Sequence, residues 1–316
     1  MPALMPDQRP WAILLMGSTA SGKTDLAIEL TRRLPCHIIS VDSAMVYRGM
    51  DIGTAKPDAG ILAIAPHRLI DIIDPIDAYS TARFRIDALA AMADITQQGD
   101  IPLLVGGTML YFRTLQQGLA CLPSADPTLR RRLLEEADAL GWPVLHARLA
   151  DIDPITATQI HPNDPQRIQR ALEVCQLAGR PMSELIRAGS TAPLPYRLLK
   201  LVRAPRERAV LHERIERRFR GMLQQGLVDE VAALVARGDL TDDLPAMRCV
   251  GYRQVLNYLR GASTWEHMLQ CGIVASRQLA KRQMTWLRSE SDCHWLHDDP
   301  DPLEQALRLI RQILAG

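Results

Sequence analysis

Short apolar runs recur through the first third of the chain, at Ala12 to Met16, His37 to Val41, Leu69 to Ile73 and Ile101 to Val105, each followed by polar or glycine-bearing turns and a longer amphipathic segment. Apolar runs alternating with helix-period segments predict a parallel sheet in an α/β fold. Such sheets bind ligands beyond the carboxyl ends of their strands. Gly17, Asp42 and Gly106-Gly107-Thr108 all emerge there, so three strand ends are expected to converge on one site. From about Leu122 the pattern turns helical, with helices expected at 128–140, 144–150, 155–159 and 165–178 and no strand until 198–202. The chain is therefore read as a first part of the core over residues 1–122, an all-helical insertion over 123–193, and the rest of the core over 194–316. That last part carries expected helices at 206–226, 228–237, 250–260, 264–288 and 302–314. Pro123-Ser124-Ala125-Asp126-Pro127 and Ala192-Pro193-Leu194-Pro195 are the expected hinges.

Composition changes this picture little. The 316 residues exceed the usual single domain, and 47% hydrophobic with 23% charged residues suits a soluble globular protein with a substantial core. Net charge is only +1, so any polyanion site must come from clustered basic residues. Cys36, Cys121, Cys175, Cys249, Cys271 and Cys293 lie far apart without a C-x-x-C pair or a signal peptide. Reduced, buried thiols in a cytoplasmic protein are the expectation. Cys293-His294 with His297 has no second ligand pair, which favours a structural role over a metal site. No run approaches the roughly 20 apolar residues of a membrane span, so no membrane association is expected.

The turn after the first apolar run carries the most specific chemistry. Gly17-Ser18-Thr19-Ala20-Ser21-Gly22-Lys23-Thr24 fits the G-x-x-x-x-G-K-[ST] phosphate-binding loop at every fixed position. Glycines let the backbone curl with its N–H groups inward, Lys23 reaches the outer phosphates, and the Thr24 hydroxyl is placed to hold Mg²⁺. A helix over 25–34 adds the positive end of its dipole. The expected core is thus a P-loop NTPase-like parallel sheet flanked by helices. The loop leaves open which phosphate compound is bound and what becomes of it.

Asp42, in Asp42-Ser43-Ala44-Met45-Val46-Tyr47, stands across from that loop. A carboxylate there can ligate Mg²⁺ or accept a proton, or simply cap the next helix. Asp51-Ile52-Gly53-Thr54-Ala55-Lys56-Pro57 is a polar loop, equally compatible with closure over the site and with a plain turn. The paired glycines 106 and 107 would let backbone approach a ligand, with Thr108 offering a hydroxyl, or would only make a tight turn. Arginines crowd four segments: 130–132, 167–170, 203–220 and 248–288. They fit a groove that tracks a nucleic-acid backbone. They also fit solvated helix faces, where Glu207, Glu213 and Glu216 invite i,i+4 pairing.

Taken together these segments resemble the bacterial tRNA dimethylallyltransferases of the tRNA isopentenyltransferase family, which prenylate an adenosine next to the anticodon. The resemblance runs nearly end to end. It is carried by the loop at 17–24, Asp42-Ser43 with Tyr47, Asp51 to Pro57, Gly106-Gly107-Thr108-Met109-Leu110-Tyr111, Asn163-Asp164-Pro165-Gln166-Arg167, Arg248 to Gln254, and Arg277 to Arg288. Ser18 departs from the family's usual proline, with little consequence expected, because backbone N–H groups face the phosphate. The zinc finger of some eukaryotic relatives has no counterpart.

The resemblance implies transfer of a dimethylallyl group from dimethylallyl diphosphate to the N6 amine of the adenosine 3′ of the anticodon. The loop would then hold the pyrophosphate leaving group through Lys23, Thr24 with Mg²⁺, and Arg218. Asp42 would act as general base and Thr108 would contact the reacting centre. The target base would be flipped out of the anticodon stem-loop. RNA-contacting segments would be Asp42-Ser43-Ala44-Met45 with Thr108, Arg130, Gln166-Arg167-Ile168-Gln169-Arg170, Arg248-Cys249-Val250-Gly251-Tyr252-Arg253, and Lys281-Arg282-Gln283-Met284-Thr285-Trp286-Leu287-Arg288. The insertion would clamp the stem-loop, and a monomer needing no protein partner is expected. A small-molecule kinase using ATP, or a regulatory RNA-binding NTPase, would share the loop and the arginines.

Overall fold

The apolar runs become strands because each is too short for a helix and is filled with large side chains that both faces of a sheet can bury. Along the chain the elements are β1 (Trp11–Gly17), α1 (Lys23–Thr31), β2 (Cys36–Val41), α2 (Ala59–Ile64), β3 (His67–Arg68), α3 (Thr81–Gln97), β4 (Ile101–Gly106) and α4 (Met109–Gln117). Helices α5 (Pro127–Leu140), α6 (Trp142–Ile152), α7 (Pro154–Thr158), α8 (Pro165–Ala178) and α9 (Met182–Ala188) follow. The chain closes with β5 (Arg197–Arg203), α10 (Arg208–Gln224), α11 (Leu227–Ala236), α12 (Tyr252–Leu259), α13 (Trp265–Ser289), β6 (Cys293–Leu296) and α14 (Pro302–Leu314). This computed structural model describes residues 8–189 and 194–314. Ala192 and Pro193 of the second expected hinge lie outside the described residues.

The strands form one parallel sheet in the order β3-β2-β4-β1-β5-β6. Register explains why three strand ends meet. Met16 of β1 is level with Gly106 of β4, and Gly106 is level with Val41 of β2. The turns that follow, starting at Gly17, Asp42 and Gly107, therefore leave the sheet side by side. On one face Leu26 and Leu30 of α1 and Leu307 and Ile310 of α14 pack with Ile13, Leu15, Ile38, Leu103 and Leu201. Helix α3 packs on β2 and β4, and α13 on β1.

The expected strand at 69–73 is replaced by the two-residue β3. Leu69 and Asp71 adopt left-handed φ of 63° and 54°, which ends the extended run. Ile73 keeps only an isolated bridge to Tyr47. Conversely β6 was not expected: Cys293 and His294 belong to an edge strand paired with β5. His297 Nδ1 is hydrogen-bonded to the Ala204 carbonyl at 2.9 Å, and the described residues hold no cluster of three or more metal-ligating side chains. All six cysteines are free thiols, but only Cys36 and Cys175 are buried and Cys121 is exposed. Among the described residues no helix is long and apolar enough to cross a membrane.

By its internal contacts the chain divides into two compact units, one running to Thr114 and resuming at Pro195, the other Leu115–Leu194. In the second, three Asp-Pro pairs start helices. Asp126, Asp153 and Asp164 each accept a backbone N–H of the first turn, and proline stands where no N–H is needed. Leu133, Leu145, Leu149, Ile168 and Leu172 form the core. Within it the Glu173 carboxylate is fully buried. It accepts hydrogen bonds from Arg130 Nε and Nη2, Arg170 Nη1 and the Asp126 N–H at 2.6–3.1 Å. Burial alone would raise its pKa, but the Arg130 and Arg170 hydrogen bonds outweigh that and lower it. The stabilisation is therefore present above the unfolded carboxyl pKa of about 4.3 and is lost as pH falls through and below it. Glu173→Gln is expected to cost roughly 2 kcal/mol at pH 7, below the range for a fully buried pair because both arginines are partly exposed. Its deficit against wild type should shrink as urea midpoints are measured toward pH 4.

Candidate active site

Between β1 and α1 the phosphate loop turns through left-handed Ala20 and Gly22, with φ of 60° and 86°. Gly17 is required by crowding. A Cβ there would lie 2.7 Å from the Arg203 carbonyl oxygen. Lys23 Nζ donates to the Ser18 carbonyl at 3.2 Å, and burial, followed by the Arg218 guanidinium, lowers its pKa to about 8 against the opposing pull of Asp42. Arg218, on α10, is also lowered by burial, while Asp42 raises it, and its Nη2 donates to the Thr54 carbonyl at 3.3 Å. Two cations thus face one carboxylate. The cluster is short of negative charge, and an anionic ligand would balance it.

A pH dependence follows. The anion binds the protonated ammonium, so pyrophosphate affinity, measured by calorimetry with a chelator present, is expected to fall as pH rises through about 8. In Lys23→Arg that part of the fall should vanish, because guanidinium stays charged.

The two carboxylate oxygens of Asp42 have different surroundings. Oδ1 accepts the N–H groups of Ala44 at 2.8 Å and Met45 at 3.3 Å, so it shapes the turn after β2. Oδ2 takes no hydrogen bond from the described residues and lines the cavity with the Thr24 hydroxyl, which is likewise unpartnered. Two hard oxygen donors beside the cradle, together with the buried and unpartnered hydroxyls of Ser18 and Ser21, fit a Mg²⁺ ion that keeps several waters. Thr108 Oγ1 accepts the Ser43 N–H at 3.0 Å, and the Thr108 N–H donates to Val41, stitching the ends of β2 and β4. The paired glycines admit protein neighbours where a ligand was expected. A Cβ at Gly106 would lie 2.0 Å from the Val41 carbonyl oxygen, and one at Gly107 would lie 2.4 Å from Gln283 Nε2.

The 51–57 loop is tied down and forms a fixed wall. Glu230 accepts the N–H groups of Asp51, Ile52 and Gly53 at 2.7–3.1 Å, and the Tyr252 hydroxyl donates to it at 2.5 Å. The buried ammonium of Lys56 donates to Tyr47 O, Asp51 Oδ1 and Asp71 Oδ1. Sequence reasoning missed Glu230, an acid inside an amphipathic helix with no local signal of its partner.

These groups border a cavity of about 540 Å³. Thr19, Lys23, Thr24, Asp42 and Arg218 form its polar part; Ile215, Phe219, Met222 and Leu279 form an apolar wall. Sequence reasoning missed this wall, though Leu211, Ile215, Phe219 and Met222 repeat at helical spacing between the arginines. Burial pushes the Cys249 thiol and the Tyr47 hydroxyl up to about 12 and lowers His67, so these neighbours are neutral near pH 7. A second cavity, of about 1310 Å³, shares Lys23, Thr24 and Arg218 with it.

The profile of the IPP transferase family matches residues 45–290. The chain belongs to this family. It is 63% identical over 280 residues to a tRNA dimethylallyltransferase of Thioalkalivibrio sulfidiphilus (strain HL-EbGR7), covering 89% of this chain and 88% of that relative. It superposes on the full-length tRNA isopentenylpyrophosphate transferase of Bacillus halodurans with a TM-score of 0.71, at 35% identity and 96% coverage of each chain. A eukaryotic dimethylallyltransferase acting on tRNA gives a TM-score of 0.83 at 26% identity, covering 97% of this chain and 80% of that one.

In this IPP transferase the segments expected to meet RNA are sorted by burial. Arg253, Lys281, Arg282 and Arg288 are exposed without a carboxylate partner among the described residues, whereas Arg248 pairs with Asp243 at 3.1 Å. Thr285 is exposed, and Met284 and Trp286 are half-buried. On α10, Arg217 and Arg220 pair with Glu213 and Glu216 four residues earlier, the solvated-face reading. Three expected contacts are corrected, because Ile168, Tyr252 and Leu287 are buried with no exposed surface for a ligand backbone. Ile168 belongs to a helical core and Tyr252 is spent on Glu230. Gly251 is buried as the N-cap of α12 with φ of 94°. In the helical unit Gln166 and Arg167 are exposed, Gln169 Nε2 donates to the Arg130 carbonyl, and Arg130 and Arg170 are held by Glu173.

Proposed function

We propose that the chain transfers a dimethylallyl group from dimethylallyl diphosphate to the N6 amine of the adenosine 3′ of the tRNA anticodon, releasing pyrophosphate. The supporting observation is the meeting in one cavity of a phosphate loop with two cations, a carboxylate with a free oxygen, and an apolar wall. The allylic C–O bond breaks with its electron pair going to the diphosphate oxygen. The N6 lone pair forms the new C–N bond, and an N6 proton passes to Asp42 Oδ2. Lys23 and Arg218 stabilise the charge developing on the leaving group. Magnesium, held by the Thr24 hydroxyl, would neutralise part of that same charge and leave Asp42 Oδ2 for the proton. Ile215, Phe219, Met222 and Leu279 cover the five-carbon group and keep water from the reactive carbon. Thr108 holds the Ser43 turn against Asp42 and offers its hydroxyl to the acceptor.

Arg253, Lys281, Arg282 and Arg288, with Arg167 and the Glu173-held Arg130 and Arg170 of the helical unit, supply the charge for the RNA backbone. The enzyme is proposed to work as a monomer in the cytoplasm, where its free thiols stay reduced. Mass spectrometry of anticodon stem-loop RNA incubated with enzyme, Mg²⁺ and dimethylallyl diphosphate is expected to show one added five-carbon unit on the adenosine. Phosphoryl transfer from ATP without prenylation would overturn the proposal in favour of a kinase.

A further inference from the structure

Gln283 belongs to the stripe of Ser276, Leu279 and Trp286 that α13 presents to the cavity. Its carboxamide is spent on two backbone groups from different strand ends. Oε1 accepts the Thr19 N–H at 2.8 Å, and Nε2 donates to the Gly107 carbonyl at 2.9 Å. Thr19 lies inside the phosphate loop, and Gly107 precedes Thr108. The close approach depends on glycine, since a Cβ at Gly107 would lie 2.4 Å from Nε2 and 3.0 Å from the Gly17 carbonyl oxygen. One partner is a donor and the other an acceptor. A neutral amide satisfies both, whereas a carboxylate would oppose the Gly107 oxygen and an ammonium the Thr19 N–H.

We infer that Gln283 is a positioning residue for the diphosphate and not an RNA contact, an inference that rests on reading the loop as a pyrophosphate cradle. By holding the Thr19 peptide it fixes one edge of the loop. By holding Gly107 it keeps the Thr108 turn in register with that cradle. Its neighbours Lys281, Arg282 and Arg288 are exposed and have no such partners among the described residues.

The test compares Gln283→Met and Gln283→Glu with wild type in calorimetric binding of inorganic pyrophosphate, filter binding of anticodon stem-loop, and steady-state kinetics. Gln283→Met is expected to bind pyrophosphate roughly tenfold more weakly, the scale of one lost hydrogen bond. Its KM for dimethylallyl diphosphate should rise in parallel, with KM for RNA and the melting temperature little changed. Gln283→Glu, which adds a negative charge, should be weaker still. Gly107→Ala, whose methyl displaces the amide while leaving Gln283 in the chain, should weaken pyrophosphate binding at least as much as Gln283→Met. Unchanged pyrophosphate affinity with weakened RNA binding would overturn the inference, as would equal loss of both ligands. If wild type itself fails to bind pyrophosphate, it is the cradle reading that fails.

Discussion

Asp42→Ala is expected to slow single-turnover prenylation by roughly 10²-fold or more at saturating RNA, donor and Mg²⁺, the usual scale for a lost general base. Alanine also removes the acceptor for the Ala44 and Met45 N–H groups, so it alone confounds chemistry with turn geometry. Asp42→Asn separates them. Its amide oxygen can still accept both N–H groups, while an NH₂ group that donates and takes no proton replaces the second oxygen. Asparagine should therefore keep the wild-type melting temperature and stem-loop affinity yet remain as slow as alanine. The thiol of Cys249 stays protonated, so Cys249→Ser should leave the rate within a few-fold. Rapid turnover by Asp42→Asn would take the proton-accepting role away from Asp42.

The convergence of Gly17, Asp42 and Gly106-Gly107-Thr108 was legible because a parallel sheet brings strand ends together, and the observed register of Met16, Gly106 and Val41 accounts for it. The tight turn at 17–24 between β1 and α1 was legible too, since its signature is local. What could not be read were partners distant in sequence. Glu230 lies 177–179 residues from the N–H groups it fixes, and Gln283 lies 264 residues from Thr19. Within the segment 281–288, residue types alone do not separate outward cations from the buried Leu287 or the engaged Gln283; only helix phase against a known neighbour does. Strand 69–73 failed because an apolar run says nothing of left-handed φ at Leu69 and Asp71, where the chain turns to bring Asp71 to Lys56. The same ambiguity affected the arginines of α10. Those four residues after a glutamate are neutralised on the surface, while Arg218 points into the cavity among Ile215, Phe219 and Met222.

That placement makes Arg218 and Lys23 the other pair with large expected effects. Arg218→Met and Lys23→Met should each lower kcat/KM for dimethylallyl diphosphate by roughly 10²–10³-fold, the range for removing one preorganised group from a site of developing negative charge. Because the charge grows as the C–O bond breaks, kcat should fall along with affinity, and inhibition by product pyrophosphate should weaken in both variants. Arg218→Lys is expected to recover little, since an ammonium cannot serve the Thr54 carbonyl and the diphosphate in the planar geometry of a guanidinium. Both cations face Asp42, and Arg218 lowers the proton affinity of Lys23, so the double variant should lose less than the product of the single losses. Stem-loop binding is the control. If RNA affinity fell as far as donor affinity while pyrophosphate inhibition stayed at the wild-type level, Lys23 and Arg218 would belong to the acceptor's site, and the leaving group would have to be held elsewhere.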